Sequence, residues 1–456
     1  MIDITPYKKK KEQEQQLDDA YQNWGFILDK NGFLKRNSVV NVEAILANDP
    51  NFQDKIAFNE FTHDIEIIEE IPFEFFALDK GVVDNNLEPA LLAYMEKYYG
   101  ALFTSQNVHA AIVNIANRQK FNPVTDYFEK CYTKWDGKER IAEFFPSYLG
   151  VEFSELTELI SKLWLVGAVT KAYNPFAKFD FVLDLVGGQG SGKTTILKKL
   201  GNQWYTDQIS DFKDKDNFSV MLRSLIVNDD EMMATQNSKF EEIKKFVTAT
   251  ELEFRKPFDR RAVRYPKNFV IARTTNHVEY LKDKTGERRF LPLLTNPERQ
   301  LFHPVSDFNQ DEVDNIWGEA VHLYKSDFSL SLTAEQEEAL EEHRKTFQYQ
   351  DDIETAIDTY LEVKLPYNFD QMDRYDQQNY IQDMMHSGYS RLGKPEIERL
   401  EVTSANIAWE CFKKEISNDR KLASKIKYIF DNKKGWNLQS VRIGGLPRRG
   451  YKKIRI

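Results

Sequence analysis

The sequence predicts an α/β chain with a parallel-sheet, phosphate-binding core in its middle. A mixed region precedes that core, and a helical, winged-helix-like unit ends the chain. Three observations lead to this. Residues 179–300 alternate short apolar runs with helical stretches. Within them the run Gly187-Gly188-Gln189-Gly190-Ser191-Gly192-Lys193-Thr194 fits G-x-x-x-x-G-K-[ST] at every fixed position. The last segment, from about Val402, reads as helix, helix, then two short strands around Gly444-Gly445.

The glycine-rich run sits where phosphate binding needs it. Asp180 to Val186 reads as a short buried strand and Thr194 to Leu200 as a helix, so the run forms the turn between them. Glycines let backbone N–H groups face inward, and a helix N-terminus favours negative charge. Residues Gly187, Gly188, Gln189, Gly190, Ser191, Gly192, Lys193, Thr194 and Thr195 are therefore the expected contacts of ATP. Lys193 would reach the β/γ oxygens, and the Thr194 hydroxyl would ligate Mg²⁺.

Thirty-two residues after Lys193 begins LIVNDDEM, Leu225 to Met232. Its apolar start predicts a strand beside the phosphate-loop strand, delivering acids at the edge where open α/β sheets bind ligands. Asp230 is expected on the metal, with Asp229 the alternative, and Glu231 is expected to activate water. A further strand, NFVIARTTN, ends in Asn276, whose amide both donates and accepts and suits a place beside the γ-phosphate. Next comes DKTGERRF, Asp283 to Phe290. Arg288 and Arg289 open another apolar strand, and either is a candidate to neutralise charge on the transferred phosphoryl group, with local salt bridges as the alternative.

Charge is unevenly spread. The chain of 456 residues carries a net charge of −10, with 41% hydrophobic and 29% charged residues, as in ordinary globular proteins. Yet residues 255–267 hold Arg255, Lys256, Arg260, Arg261, Arg264 and Lys267 against the single acid Asp259. The last sixteen residues hold six basic side chains and no acid. Basic side chains track phosphates, while Phe254, Phe258 or Tyr265 would stack on bases. In the first cluster Arg255, Lys256, Phe258, Arg260, Arg261 and Arg264 are the candidate DNA contacts, with a subunit-interface loop as the alternative. In the last, Arg442, Arg448, Arg449 and Lys452 are the candidates, with a packed C-terminal cap as the alternative. The two cysteines, Cys131 and Cys411, lie far apart, and the seven histidines show no ligand spacing. No structural metal is expected, and a reducing cytoplasm fits this cysteine usage. No apolar run approaches membrane-spanning length, and no hydrophobic stretch follows the early lysines as a signal peptide would require.

Taken in order, the expected regions are 1–110, a mixed domain for docking or a ring collar; 111–178, a helical lead-in; 179–300, the motor core; 301–400, a helical lid and linker; and 401–456, the basic winged-helix-like unit.

WDGKERI (Trp135–Ile141), GGQGSGKTT, FRKPFDRRAVRYP and TGERRFLPL, in this order, resemble the virulence-associated protein E family of phages and mobile genetic islands. More broadly, the set is similar to the superfamily III helicases, ring-forming replication motors. The resemblance spans roughly residues 90–300. It implies a P-loop AAA+-type ATPase core, hydrolysis of ATP with Mg²⁺, and a homo-oligomeric, hexameric ring. It further implies an arginine finger given to a neighbouring subunit, a basic hairpin at Phe254–Pro266 gripping single-stranded or forked DNA, and 3′-to-5′ travel. A separate primase or origin-binding protein is an implied partner, since residues 1–110 hold no catalytic carboxylate triad of their own. One departure is Asn228-Asp229-Asp230 before Glu231, where the family has an apolar or small residue, so the metal carboxylate stays open between Asp229 and Asp230. Two other readings remain beside the helicase: an origin-binding or loading ATPase without processive unwinding, and a small-molecule P-loop kinase.

Overall fold

Five parallel strands at the centre of the chain set the position of everything discussed below. In this computed structural model residues 23–73, 76–256, 261–281, 287–349, 352–433, 435–443 and 445–454 are described. The chain divides into two compact units, Met1–Phe347 and Gln348–Ile456. The division falls inside the region expected to be a lid and linker.

The first unit opens with helix α1 (Val39–Asn48), whose N-cap Ser38 accepts from the Asn41 amide. Strands β1 (Ile56–Asn59), β2 (Asp64–Ile67) and β3 (Gly81–Val82) follow, then helices α2 (Leu87–Tyr99) and α3 (Ser105–Arg118) and strand β4 (Lys120–Phe121). The sheet order is β3-β2-β1-β4. Helix α3 thus runs through residue 110, and this layer closes only at Phe121, eleven residues later than the expected boundary.

Helices α4 (Pro123–Lys134), α5 (Ile141–Leu149) and α6 (Glu155–Tyr173) lead into the core. The WDGKERI segment is a clamp between α4 and α5. Arg140 grips Asp136 through two 2.7 Å bonds, and the Ile141 amide donates to Glu319 at 3.0 Å. Helix α6 shows no clear amphipathic stripe because it is covered almost all round; Trp164 is buried and its indole N–H donates to the Ile271 carbonyl at 3.0 Å.

The core then runs β5 (Val182–Val186), α7 (Lys193–Gly201), β6 (Tyr205–Thr206), α8 (Lys215–Leu222), β7 (Ile226–Asp229), α9 (Phe240–Thr248), the hairpin β8 (Glu251–Phe254) and β9 (Val263–Pro266), β10 (Val270–Thr275) and β11 (Phe290–Leu294). Helices α10 (Gln310–Lys325) and α11 (Ala334–Lys345) complete the unit. The five parallel strands lie in the order β11-β5-β10-β7-β6. Strand β7 is therefore not the neighbour of the phosphate-loop strand β5, as its sequence had suggested; β10 lies between them. Nearly continuous burial of β5, β7 and β10 is what a sheet covered on both faces requires.

The second unit packs α12 (Asp352–Glu362), α13 (Arg374–Ser387), strand β12 (Glu401–Val402), a π-helical turn at Ile407–Cys411, α14 (Arg420–Asn432) and the hairpin β13 (Trp436–Ile443) and β14 (Leu446–Lys453). Its sheet order is β12-β14-β13, over a core that includes Tyr360, Ile426 and Trp436. The polar stretch Phe369–His386 is mostly α13, held by Tyr380 and Ile381.

Gly167 in α6 faces the Phe179 ring, and a Cβ there would lie 2.3 Å from two ring carbons. Helix propensity alone would make Gly167→Ala stabilising by about 0.5–1 kcal/mol. Overpacking costs about 1–3 kcal/mol and should win. Thermal unfolding should show a lower midpoint for Gly167→Ala; a higher one would contradict this packing.

Candidate nucleotide site and basic surfaces

Strand β5 ends in the glycine-rich loop, and α7 begins at Lys193. Gly187 has φ of 142° and its amide donates to the Thr275 carbonyl at 3.0 Å. A Cβ at Gly187 would lie 2.3 Å from Thr295 Oγ1, and one at Gly192, with φ of 87°, would lie 2.5 Å from Pro304. Both positions need glycine for conformation and for space. The Lys193 ammonium donates to the carbonyls of Gly187 (2.7 Å) and Gly188 (2.9 Å) and to Asn276 Oδ1 (3.2 Å). Burial lowers its pKa, while Glu231 and Asp230 act to raise it.

The interposed strand explains how the other residues meet. Asn276 follows β10 directly, so it stands between the loop and the end of β7. Its Nδ2 donates to both Glu231 carboxylate oxygens, at 3.0 and 3.2 Å. Lysine is only a donor and a carboxylate only an acceptor, so these two partners fix the amide's orientation. Lys193, Asn276 and Glu231 form one continuous chain of hydrogen bonds.

The two aspartates part where β7 ends and the chain turns at Asp230. Asp230 Oδ1 accepts from the hydroxyls of Thr194 (2.8 Å) and Thr274 (2.7 Å). Asp229 turns the other way. It accepts from the amides of Ala234 (2.7 Å) and Thr235 (2.9 Å) and from the Thr235 hydroxyl (2.6 Å), and burial raises its pKa. Of the two metal candidates only Asp230 meets Thr194. Together they are hard oxygen donors of the kind Mg²⁺ takes, and Mg²⁺ usually keeps one or two carboxylates plus phosphate oxygens and water. Among the described residues no group of three or more His, Cys, Asp or Glu gathers into a metal cage.

Glu231 and Met232 have φ of 54° and 53°. Two successive left-handed residues without glycine are strained, and such strain persists where the surroundings impose it. Here the turn swings the Glu231 carboxylate back toward Asn276. Thr274 was missed as a site residue: its hydroxyl bonds Asp230 and accepts from the Glu231 amide at 3.0 Å. Thr274 lies two before Asn276 and so shares its face of the strand, which was the available signal. Ser191 is buried and bonded by Thr295, whereas Gly188, Gln189 and Gly190 are exposed and Thr195 half-buried.

Arg288 and Arg289 lie elsewhere. They precede β11, whose Phe290 pairs with Val182 at the start of β5, so they sit a strand's length from their own loop, roughly 16 Å. Arg288 is exposed, and Arg289 Nε is buried with no hydrogen-bond partner among the described residues.

Of the first basic cluster, Phe258 and Arg260 fall outside the described residues. Arg255, Arg261 and Arg264 are exposed, and Arg264 faces Glu253 at 3.2 Å across the hairpin. Lys256 is corrected. Its ammonium reaches Asp64 at 2.8 Å and the carbonyls of Thr62 and His63, so it anchors the hairpin to the β1–β2 turn rather than offering charge to a ligand. Phe254 is likewise buried, and Tyr265 packs on it and on His63, so neither ring is placed to stack on bases. In the second unit Arg442, Arg448 and Arg449 are exposed on the β13–β14 hairpin, while Lys452 bonds Glu401 at 2.6 Å.

A five-stranded parallel sheet with this loop at its carboxyl edge defines a P-loop nucleotide-binding core. Residues 128–349 match the family profile described as the virulence-associated protein E-like domain, and the chain carries that domain. Solved structures of the apo NrS-1 C-terminal region resemble it at the level of chain course. One is 12% identical, covering 88% of this chain and 96% of that one, with a TM-score of 0.44. Another is 14% identical, covering 87% and 95%, with a TM-score of 0.45. No curated protein sequence matches this one. No helix among the described residues is long and apolar enough to cross a membrane.

The Lys256 assignment separates anchor from ligand contact. Lys256→Ala leaves the mostly buried Asp64 with Arg223 as its remaining ion-pair partner and should destabilise the protein by about 1–3 kcal/mol. Arg261→Ala on the exposed side should stay within about 0.5 kcal/mol. Denaturant unfolding of both variants checks this; equal stabilities would return Lys256 to the surface.

Proposed function

We propose that the protein is an ATP-driven DNA helicase that works as a ring, most simply a hexamer, in the replication of a phage or mobile genetic element. The observation that carries this is the joining of Lys193, Asn276 and Glu231 at one edge of the sheet, with Arg288 and Arg289 at the other. The first group suits hydrolysis of a nucleoside triphosphate, and the second suits service to a neighbouring subunit.

In this reading the loop amides and Lys193 hold the β/γ-phosphates, and the ammonium exchanges its loop carbonyls for phosphate oxygens. Thr194 and Asp230 would hold Mg²⁺, which supplies neutralisation of the phosphate charge. Glu231 takes the proton of the attacking water, and Asn276 orients that water while linking it to Lys193. Because Arg288 and Arg289 are remote from their own loop, a finger role requires the loop of an adjacent copy. Arg255 and Arg261, joined by Arg260, then grip the DNA backbone without reading sequence.

The second unit orders two helices, a strand, two helical segments and a hairpin. That order supports a winged-helix-like reading, with Arg442, Arg448 and Arg449 against duplex phosphates. These exposed arginines favour a second reading, an origin-binding or loading ATPase. Strand displacement on a forked substrate separates the two: the helicase displaces a strand with ATP, whereas the loader shows only DNA-stimulated hydrolysis. No DNA response of either kind would sink both.

Three variants test the site. Lys193→Ala should abolish hydrolysis. Glu231→Gln should bind MgATP like the parent yet hydrolyse it at least about a hundred-fold more slowly; normal turnover would remove Glu231 from its role. Arg289→Ala mixed with Lys193→Ala should recover part of the activity, since one interface then joins an intact loop to an intact arginine. No recovery from mixtures shown to assemble would place the arginine's effect within its own subunit.

A further inference from the structure

Immediately after β11 the chain crosses the outside of the phosphate loop as a strap, residues 296–308. It is tied there at several points. The Gln300 amide donates to the Ser191 carbonyl at 2.8 Å, and Pro304 lies against Gly192. The Lys199 ammonium donates to the carbonyls of Pro304 (3.1 Å), Val305 (2.6 Å) and Phe308 (2.6 Å). Both the Leu301 and Phe302 amides donate to the Ser147 carbonyl. The strap therefore runs beside Ser191 and Gly192 of the loop and along the first two turns of α7 as far as Lys199.

A segment held this firmly exposes three large apolar side chains within five residues. Leu301 is 75% exposed, Val305 59% and Phe302 49%, the last resting partly on Tyr148. Single exposed apolar residues are ordinary, but a group of them beside a ligand loop calls for a ligand. Between Gln300 and Asp307, on the stretch that carries these three side chains, each polar side chain already has a partner. Gln300 serves Ser191, Asp307 accepts from the His303 amide and the Ser306 hydroxyl, and His303 Nδ1 accepts from the Val305 amide.

We propose that Leu301, Phe302 and Val305 form the platform on which the nucleobase rests, and that they accept it by apolar contact alone. The inference rests on the P-loop reading and adds its base specificity. A base held by its face, with no donor or acceptor reserved for its edge, is poorly discriminated, because every base has such a face. ATP and GTP should then bind within about three-fold of each other.

The test uses the full-length protein with the double variant Leu301→Ser/Val305→Ser, both sites being mostly exposed and so safe for folding. Calorimetry measures Kd for MgATP, MgGTP and magnesium tripolyphosphate, and light scattering reports assembly. The expected result is about ten-fold weaker binding of both nucleotides, equivalent to about 1.4 kcal/mol, with tripolyphosphate unchanged. Unchanged nucleotide binding overturns the proposal, and so does lost assembly with binding intact, which would make the strap a subunit interface. A parallel loss of tripolyphosphate also overturns it, since the strap would then shape the phosphate loop. In the parent, ATP much tighter than GTP contradicts apolar recognition. Failure of the parent to bind either ATP or tripolyphosphate would instead fault the P-loop reading.

Discussion

One buried charge aligns the centre of the sheet. Arg273 on β10 stands in register with Asp184 on β5 and with Asp229 on β7. Its guanidinium grips the Asp184 carboxylate at 2.6 and 2.7 Å, lies 3.9 Å over the Phe290 ring, and meets Asp229 through the Thr235 hydroxyl. Tyr280 adds its hydroxyl to the same Asp184 oxygen. Both Arg273 and Asp184 are almost wholly buried. Burying such a pair adds little stability compared with apolar residues, but leaving one partner alone costs about 3–5 kcal/mol. The arrangement therefore acts on register. Slipping β10 by one residue would send Arg273 to the opposite face and strand both carboxylates.

That register is what the site depends on. With Arg273 on one face of β10, Thr274 and Asn276 fall on the other, next to Asp230, Lys193 and Glu231. The adjacent acids Asp229 and Asp230 divide in the same way: one stabilises the sheet and the other meets Thr194. Strain at Glu231 and Met232 belongs to the same design, because only a left-handed turn returns the Glu231 carboxylate to Asn276. Three neighbouring strands thus carry a structural charge network on one side and the residues proposed for hydrolysis on the other.

Local chemistry was legible in the sequence because it is written in short motifs. The glycine-rich loop, the acids after an apolar run and Asn276 at a strand end each combine a backbone requirement with a polar group. Strand order was not legible. Strands buried on both faces read as plain apolar runs, and nothing in such a run names its neighbour. Lys256 was misread for a different reason: its partner Asp64 lies 192 residues earlier, and a charge cluster looks the same whether it faces solvent or a carboxylate. Arg273 was invisible as a functional anchor, since one arginine in an apolar strand gains meaning only from the two carboxylates beside it. The strap had no motif at all; its role comes from bonds to Ser191 and Lys199 that span about a hundred residues.

The most direct test of the proposed ring motor is electron cryo-microscopy of the full-length protein with a non-hydrolysable ATP analogue and forked DNA. The account predicts a closed ring with DNA in its channel. The analogue's γ-phosphate would sit between Lys193 and Asn276 of one subunit, and Arg288 or Arg289 would arrive from the next. Separate monomers with nucleotide bound away from the glycine-rich loop, or an arginine turned to the phosphate of its own subunit, would contradict it.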